Sequence, residues 1–325
     1  MRVLICGASP DAVNNNSVLR GYVGRGFESV GAAIAVRTCS LEIAEHTARD
    51  FRPDLVVVFG SCMPAGSYYL GLKMAALDLG ACMAFWLHDD PYEFDVAAKI
   101  IPLADVIFSN DRWTVTHYEH PRVYHLPLAA DRDAHFRAPV AAKARDIFFC
   151  GVGFPNRVTL LRDCGPVLSG LNVVVSGAEW PPDIAFARNE RIPNVELPDW
   201  CASSLVTLNL GRRFNLANSR FNLDASTPGP RTFETAAAGT IQCMFVEGLE
   251  IEDYYDVEAG EILLFDSPIE LRRHVDMLRD DPQHAMSIAL AAQDRTLRDH
   301  TYENRATRIL DVLASERLVD VSSPC

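Results

Sequence analysis

Short apolar runs alternate with amphipathic stretches from the start of the chain. Runs at 2–8, 32–38, 55–61, 82–88, 106–109 and 123–126 read as strands. Several are apolar throughout rather than alternating, the pattern of a parallel strand buried on both faces. Between them, 17–27, 41–50, 68–79, 91–101 and 112–118 carry helical spacing. Arg52-Pro53-Asp54 stops a helix just before the third run. Strand–helix alternation at this spacing predicts a doubly wound α/β domain over residues 1–130.

A stretch at 129–145, rich in Ala, Asp and Arg, lacks any strand pattern and reads as a linker, with 131–145 as its span between domains. The pattern then resumes. Strands are expected at 146–153, 171–177, 195–197, 205–210, 241–246 and 262–266, with helices at 157–164 and 231–238. Ser267-Pro268 opens a further helix, Ser as the N-cap and Pro in the first turn, running to about residue 279. Helices at 284–299 and 302–315 close the chain. This predicts a second α/β domain at 146–300 and a terminal helical segment at 301–325.

Composition narrows the function. At 325 residues, 49% hydrophobic and 22% charged, the chain has enough apolar surface for two folded domains. Its apolar runs are far too short to cross a bilayer, and Met1–Gly7 enters a strand without signal-peptide anatomy, so a cytoplasmic protein is expected. The net charge of −13, with only Lys73, Lys99 and Lys143 as lysines, argues against nucleic acid or an anionic membrane as the main partner. The nine cysteines form no CxxC pair and most lie in apolar runs, which reads as buried free thiols rather than disulfides or zinc ligands. The oligomeric state is not legible.

Three motifs carry candidate chemistry. In Phe149-Cys150-Gly151-Val152-Gly153-Phe154-Pro155-Asn156-Arg157 a strand ends at glycines and a helix begins. Such a helix start offers free N–H groups to a phosphate, and Arg157 adds a forked donor; a glycine turn needed only for packing fits equally well. In Pro228-Gly229-Pro230-Arg231-Thr232-Phe233-Glu234 a second helix start carries a guanidinium, with a carboxylate one turn later. A carboxylate there can accept from the vicinal hydroxyls of a ribose, or simply complement the helix dipole. His88-Asp89-Asp90-Pro91 stands at the end of the fourth strand, where α/β sheets take their substrates. His88 can bind a sugar or accept a proton, with a carboxylate to orient it. Asp90 can also cap a following helix that starts at Pro91. No cluster at metal-ligand spacing accompanies them. The polar loop Asn14-Asn15-Asn16-Ser17 suits either an acceptor or a helix cap.

On these residues the chain resembles two-Rossmann (GT-B) glycosyltransferases, most of all the spore-maturation CgeB-like group related to glycosyltransferase family 4. Arg231-Thr232-Phe233-Glu234-Thr235-Ala236-Ala237-Ala238-Gly239 resembles that group's R-x-F-E-x-x-A-x-G segment. Stretches 246–250, 265–268, 278–282 and 300–306 follow in the same order, and 151–157 precedes them.

The resemblance implies two Rossmann-like domains facing each other across a cleft, the last helices crossing back to the N-terminal domain. It implies metal-independent, retaining sugar transfer to a small-molecule or glycan acceptor. The co-substrate would be a nucleotide sugar, a UDP-sugar as first expectation, with no other cofactor. Glu234 would bind the donor ribose. Gly229, Arg231 and Thr232 would face the diphosphate, with Gly153, Asn156 and Arg157 closing over it. His88, with Asp89 and Asp90, would lie beside the transferred sugar. One departure stands out: family relatives carry a glutamate eight residues before the ribose-binding one, and here that position is Ser226. An epimerase or phosphorylase on the same fold, or a catalytically idle binding or scaffold protein, remains the alternative.

Overall fold

The computed structural model describes residues 1–12, 17–248 and 250–319. Asn14, Asn15, Asn16, Leu249 and Cys325 lie outside the described residues. The chain forms two compact units. The first comprises Met1–Leu128, Asn215–Thr227 and the chain from Tyr302 onward; the second comprises Ala129–Phe214 and Pro228–Thr301. The chain therefore returns to the first unit twice.

The first unit holds strands β1 (Arg2–Gly7), β2 (Ala35–Cys39), β3 (Leu55–Gly60), β4 (Cys82–Leu87), β5 (Val106–Ser109) and β6 (Val123–His125). Helices α1 (Ser17–Val30), α2 (Ala44–Phe51), α3 (Ser67–Leu79), α4 (Phe94–Ala97) and α5 (Arg112–Val115) alternate with them. The sheet is parallel, in the order β2-β1-β3-β4-β5-β6. Every residue of β3 and β4 is buried, which is why these strands are apolar without alternation. Burying each such Val, Leu or Phe is worth roughly 1.5–3 kcal/mol.

The second unit opens with α6 (Arg132–His135). It continues through β7 (Arg145–Val152), α7 (Pro155–Cys164), β8 (Val173–Ala178), β9 (Ala187–Arg188), α8 (Leu197–Ala202) and β10 (Ser204–Asn209). Then come α9 (Pro230–Ala237), β11 (Ile241–Phe245), β12 (Leu263–Phe265), α10 (Pro268–Asp280) and α11 (Pro282–Asp299). Its parallel sheet runs β12-β11-β10-β7-β8-β9. Helix α12 (Tyr302–Ser315) belongs to the first unit and packs on α1. Gly26 makes room for it, since a Cβ there would sit 2.5 Å from the Tyr302 carbonyl oxygen. Arg305 then ties α12 down by donating to the carbonyls of Pro127 (2.9 Å) and Leu128 (3.2 Å).

Three expectations fail locally. The run 195–197 is not a strand: Pro198 starts α8 there, and a three-residue apolar run cannot separate the two states. The helix expected at 91–101 begins only at Phe94 and turns 3₁₀ at Ala98–Ile100, behind a cis Asp90–Pro91 bond. Asp90 is therefore no helix cap, and Glu93 occupies the N-cap position. In α7 the helix starts at Pro155, two residues earlier than the pattern indicates.

Candidate functional site

In a doubly wound sheet the ligand crevice opens at the carboxyl ends of the two strands where the order reverses. In the second unit these are β7 and β10, the former leading to β8 and β9, the latter to β11 and β12. Both carboxyl ends feed motifs noted in the sequence. Helix α9 starts here with exposed Gly229 at its N-cap and Pro230 in the first turn. Its first turn presents backbone N–H groups and positive potential to an anion.

Arg231 Nη1 stands 2.9 Å from Glu234 Oε2, with side chains 33% and 10% exposed. Glu234 Oε1 lies 3.8 Å from Nε2 of buried His135 on α6. Burial alone pushes the Glu234 carboxyl up, but the Arg231 charge, with His135 beside the other oxygen, outweighs it and holds it below the usual range. The site thus keeps a buried, ionised carboxylate beside a partly exposed guanidinium. The Thr232 hydroxyl faces inward, where the Asn209 amide at the end of β10 donates to it. That bond locks α9 to the sheet, and the Thr232 N–H donates to the Gly229 carbonyl (3.1 Å).

The loop after β7 has a different character. Arg157 donates from Nε to Gly211 (2.9 Å), from Nη1 to Val152 (3.1 Å) and from Nη2 to Leu210 (2.9 Å), all backbone carbonyls. Asn156 donates to Gly211 and accepts from the Arg213 N–H. The two residues brace the ends of β7 and β10 together, so the fork assigned to phosphate on sequence grounds is committed to backbone. Gly153 is required for packing: a Cβ there would meet the Glu179 carbonyl oxygen at 2.6 Å.

In the first unit the order reverses between β1 and β3, and the loops ending them meet where the Ser9 hydroxyl donates to the Ser61 carbonyl (2.6 Å). The Ser61 hydroxyl in turn donates to buried Glu93. His88, at the end of β4, packs edge-on to Phe59 and sets Nδ1 2.9 Å from Asp89 Oδ2. Burial pushes the imidazole down, but Asp89 and then Glu93 outweigh it and raise its pKa. Asp89 thus both orients the imidazole and favours its protonated form.

Asp90, next in sequence, points away into the protein. It is 2% exposed and accepts from the Ser109 hydroxyl (2.7 Å) and the Tyr118 hydroxyl (3.0 Å to each oxygen). Burial pushes its pKa from 3.8 up to about 7 despite those bonds. The folded state therefore holds a proton that the unfolded chain has lost over this range, and stability falls as pH rises through it. At pH 7 the cost is roughly 4 kcal/mol. Asp90→Asn keeps a neutral acceptor, and urea midpoints between about pH 5 and 8 should show the slope flattened; an unchanged slope would exclude Asp90 as its source.

Ser226 also finds its role in the fold. Buried Asp111, at the N-cap of α5, accepts from the Ser226 N–H (2.6 Å) and hydroxyl (3.0 Å) and from the Thr227 N–H (3.1 Å). Ser226 fastens the returning segment 215–227 to the first unit. Sequence reasoning missed His135, Glu93 and Asp111; only the Asp131 cap signal before His135 hinted at structure there. Among the described residues no group of three or more His, Cys, Asp or Glu is placed to hold a metal, and no helix is long and apolar enough to cross a membrane. Burial raises the pKa of the eight described thiols, all free, as expected of inert core cysteines.

Comparison with known proteins bears on these sites. Residues 157–311 match a family model described as glycosyl transferase-like. Over 99 residues the chain is 26% identical to the spore protein CgeB of Bacillus subtilis (strain 168), a match covering 29% of this chain and 31% of that protein. The chain thus spans about a third of this curated relative.

The solved structure of Anabaena HepE in complex with UDP and glucose superposes with a TM-score of 0.63 at 12% identity, covering 97% of this chain and all of that one. Sucrose-phosphate synthase from Thermosynechococcus elongatus gives 0.63 at 10%, over 98% and 99% of the two chains. The DNA-modifying β-glucosyltransferase gives 0.61 at 12%, over 99% and 100%. The two parallel six-stranded sheets are those of the GT-B fold.

Proposed function

We propose that this chain, which has the GT-B fold and matches a glycosyl transferase-like family model over residues 157–311, moves a sugar from a nucleoside-diphosphate sugar to a small-molecule or glycan acceptor. The observation that carries the reading is the Arg231–Glu234 pair on the first turn of α9, at the reversal point of the second sheet. Glu234 accepts from the ribose hydroxyls. Arg231, at the positive end of α9 and with Gly229 leaving the approach open, takes the diphosphate. Asn156, Arg157 and Gly153 hold the neighbouring loop in shape.

In the reaction the bond from the anomeric carbon to the diphosphate breaks and one to the acceptor oxygen forms. The acceptor's hydroxyl proton passes to the departing diphosphate. Negative charge grows on that leaving group in the transition state, so a fixed guanidinium and helix N-terminus beside it lower the barrier. Retention of the anomeric configuration is proposed from the resemblance to glycosyltransferase family 4, with no carboxylate assigned as a nucleophile.

A UDP-sugar is the first donor to try, and the transfer is proposed to need no metal. Thermal melts with UDP, GDP, ADP, dTDP and their sugar conjugates, with and without magnesium, test this. A ligand at about 100 times its dissociation constant should stabilise the fold by roughly 2.7 kcal/mol. One nucleotide should shift the melt equally with and without magnesium. A shift with none of them counts against the transferase and for an idle scaffold.

A further inference from the structure

We propose that His135 is a positioning residue for Glu234, and that through it the site prefers ribonucleotides over 2′-deoxyribonucleotides. The inference rests on Glu234 being the ribose acceptor, as proposed above.

The geometry begins at the start of the second unit. Asp131 caps α6, its Oδ1 accepting from the Ala134 N–H at 2.7 Å. The Asp131 N–H donates back to His135 Nδ1 at 2.9 Å. An imidazole nitrogen that accepts has no proton of its own, so the ring proton sits on Nε2. Nε2 is the atom 3.8 Å from Glu234 Oε1. The cap thus sets the tautomer, and the tautomer directs an N–H toward the carboxylate. His135 is 3% exposed and α6 packs on α9, so the ring has little room to turn away.

Arg231 holds the other oxygen, Oε2, at 2.9 Å. The carboxylate is therefore held from both sides, with positive or proton-bearing groups at each oxygen. The His135 contact, at 3.8 Å, is electrostatic rather than a hydrogen bond, so it orients the carboxylate without occupying a lone pair. Lone pairs remain for the paired 2′ and 3′ hydroxyls of a ribose. With Oε1 unheld, the side chain can rotate about its terminal bond, whose potential is broad, and the geometry for two hydroxyls is lost more readily than for one. Arg231 alone fixes charge, and His135 adds orientation.

Calorimetric affinities for UDP and 2′-deoxy-UDP test this in the wild type, His135→Asn, His135→Gln and Glu234→Ala. Asparagine places an acceptor where Nδ1 was, keeping the Asp131 bond while removing the Nε2 donor. Glutamine returns an N–H near the Nε2 position. His135→Asn should lower the preference for UDP over 2′-deoxy-UDP about threefold, the scale of an electrostatic contact rather than of a full hydrogen bond. Its affinity for 2′-deoxy-UDP and its melting temperature should hold, and His135→Gln should restore most of the preference. A wild-type preference in His135→Asn would overturn the inference, as would equal loss of both affinities, which marks a purely structural role. Glu234→Ala should abolish the preference. If it does not, the ribose reading fails and this inference with it, whereas failure of His135→Asn alone leaves that reading standing.

Discussion

Arg231→Ala is expected to weaken UDP binding about a hundredfold and to lower kcat/KM by roughly 10²–10³, the usual cost of removing one preorganised donor from a developing anion. The loss should fall on kcat as well as on binding, because the leaving group's charge increases in the transition state. A second effect follows from Glu234. Its folded pKa lies below 4.5 because Arg231 and His135 outweigh burial. Its contribution to stability is therefore present above the unfolded value and lost as pH falls through the folded one. Without Arg231 the largest opposing charge is gone and burial pushes the carboxyl up, so the variant should be less stable near pH 7 and should lose less of its stability than the wild type as pH falls toward 4. Arg231→Lys, a charge without the fork, should lie between the two. Binding isotherms and steady-state rates with the donor found by thermal melts measure the first effect, and melts from pH 4 to 7 the second. Wild-type affinity in Arg231→Ala would remove the guanidinium from the diphosphate site.

Asp111→Ala should cost on the order of 4 kcal/mol in folding stability with little direct effect on nucleotide affinity. Its carboxylate takes the Ser226 and Thr227 N–H groups on one side and the Thr114 N–H and hydroxyl on the other, all buried. Each N–H stranded without an acceptor costs roughly 1–3 kcal/mol. The segment 215–227 should loosen first, since Asp111 is among the side chains that hold it to the first unit, with Asp95 and His125. Hydrogen exchange at Ser226 and Thr227 should speed up more than at β3. Ser226→Glu places a charge beside Asp111 in a fully buried position and should be at least as damaging. Equal exchange rates at Ser226 in wild type and Asp111→Ala would refute this account of Ser226.

Much of this protein was legible locally. The apolar runs of β1, β3, β4, β5 and β11, the Ser267-Pro268 start of α10 and the Gly-Pro-Arg start of α9 all follow from periodicity and capping rules that act within a few residues. Residues Arg231 and Glu234 were visible for the same reason, being three apart on one helix face. Local reasoning erred where two states share one signal, as at Pro91, where a turn and a helix start look alike, and at 195–197.

What the sequence determined by itself was the class of fold and the two helix starts that can meet a phosphate, because short-range patterns encode both. Only the tertiary structure decided which side chains are free to act there. It committed Arg157 to carbonyls 53 and 54 residues away, set Ser226 on Asp111 across 115 residues, and turned Asp90 into the core beside Tyr118. It also carried His135 from an unpatterned stretch to Glu234. The physical reason is that burial and long-range pairing set a polar group's partners and charge state, and neither is a property of neighbouring residues in the chain.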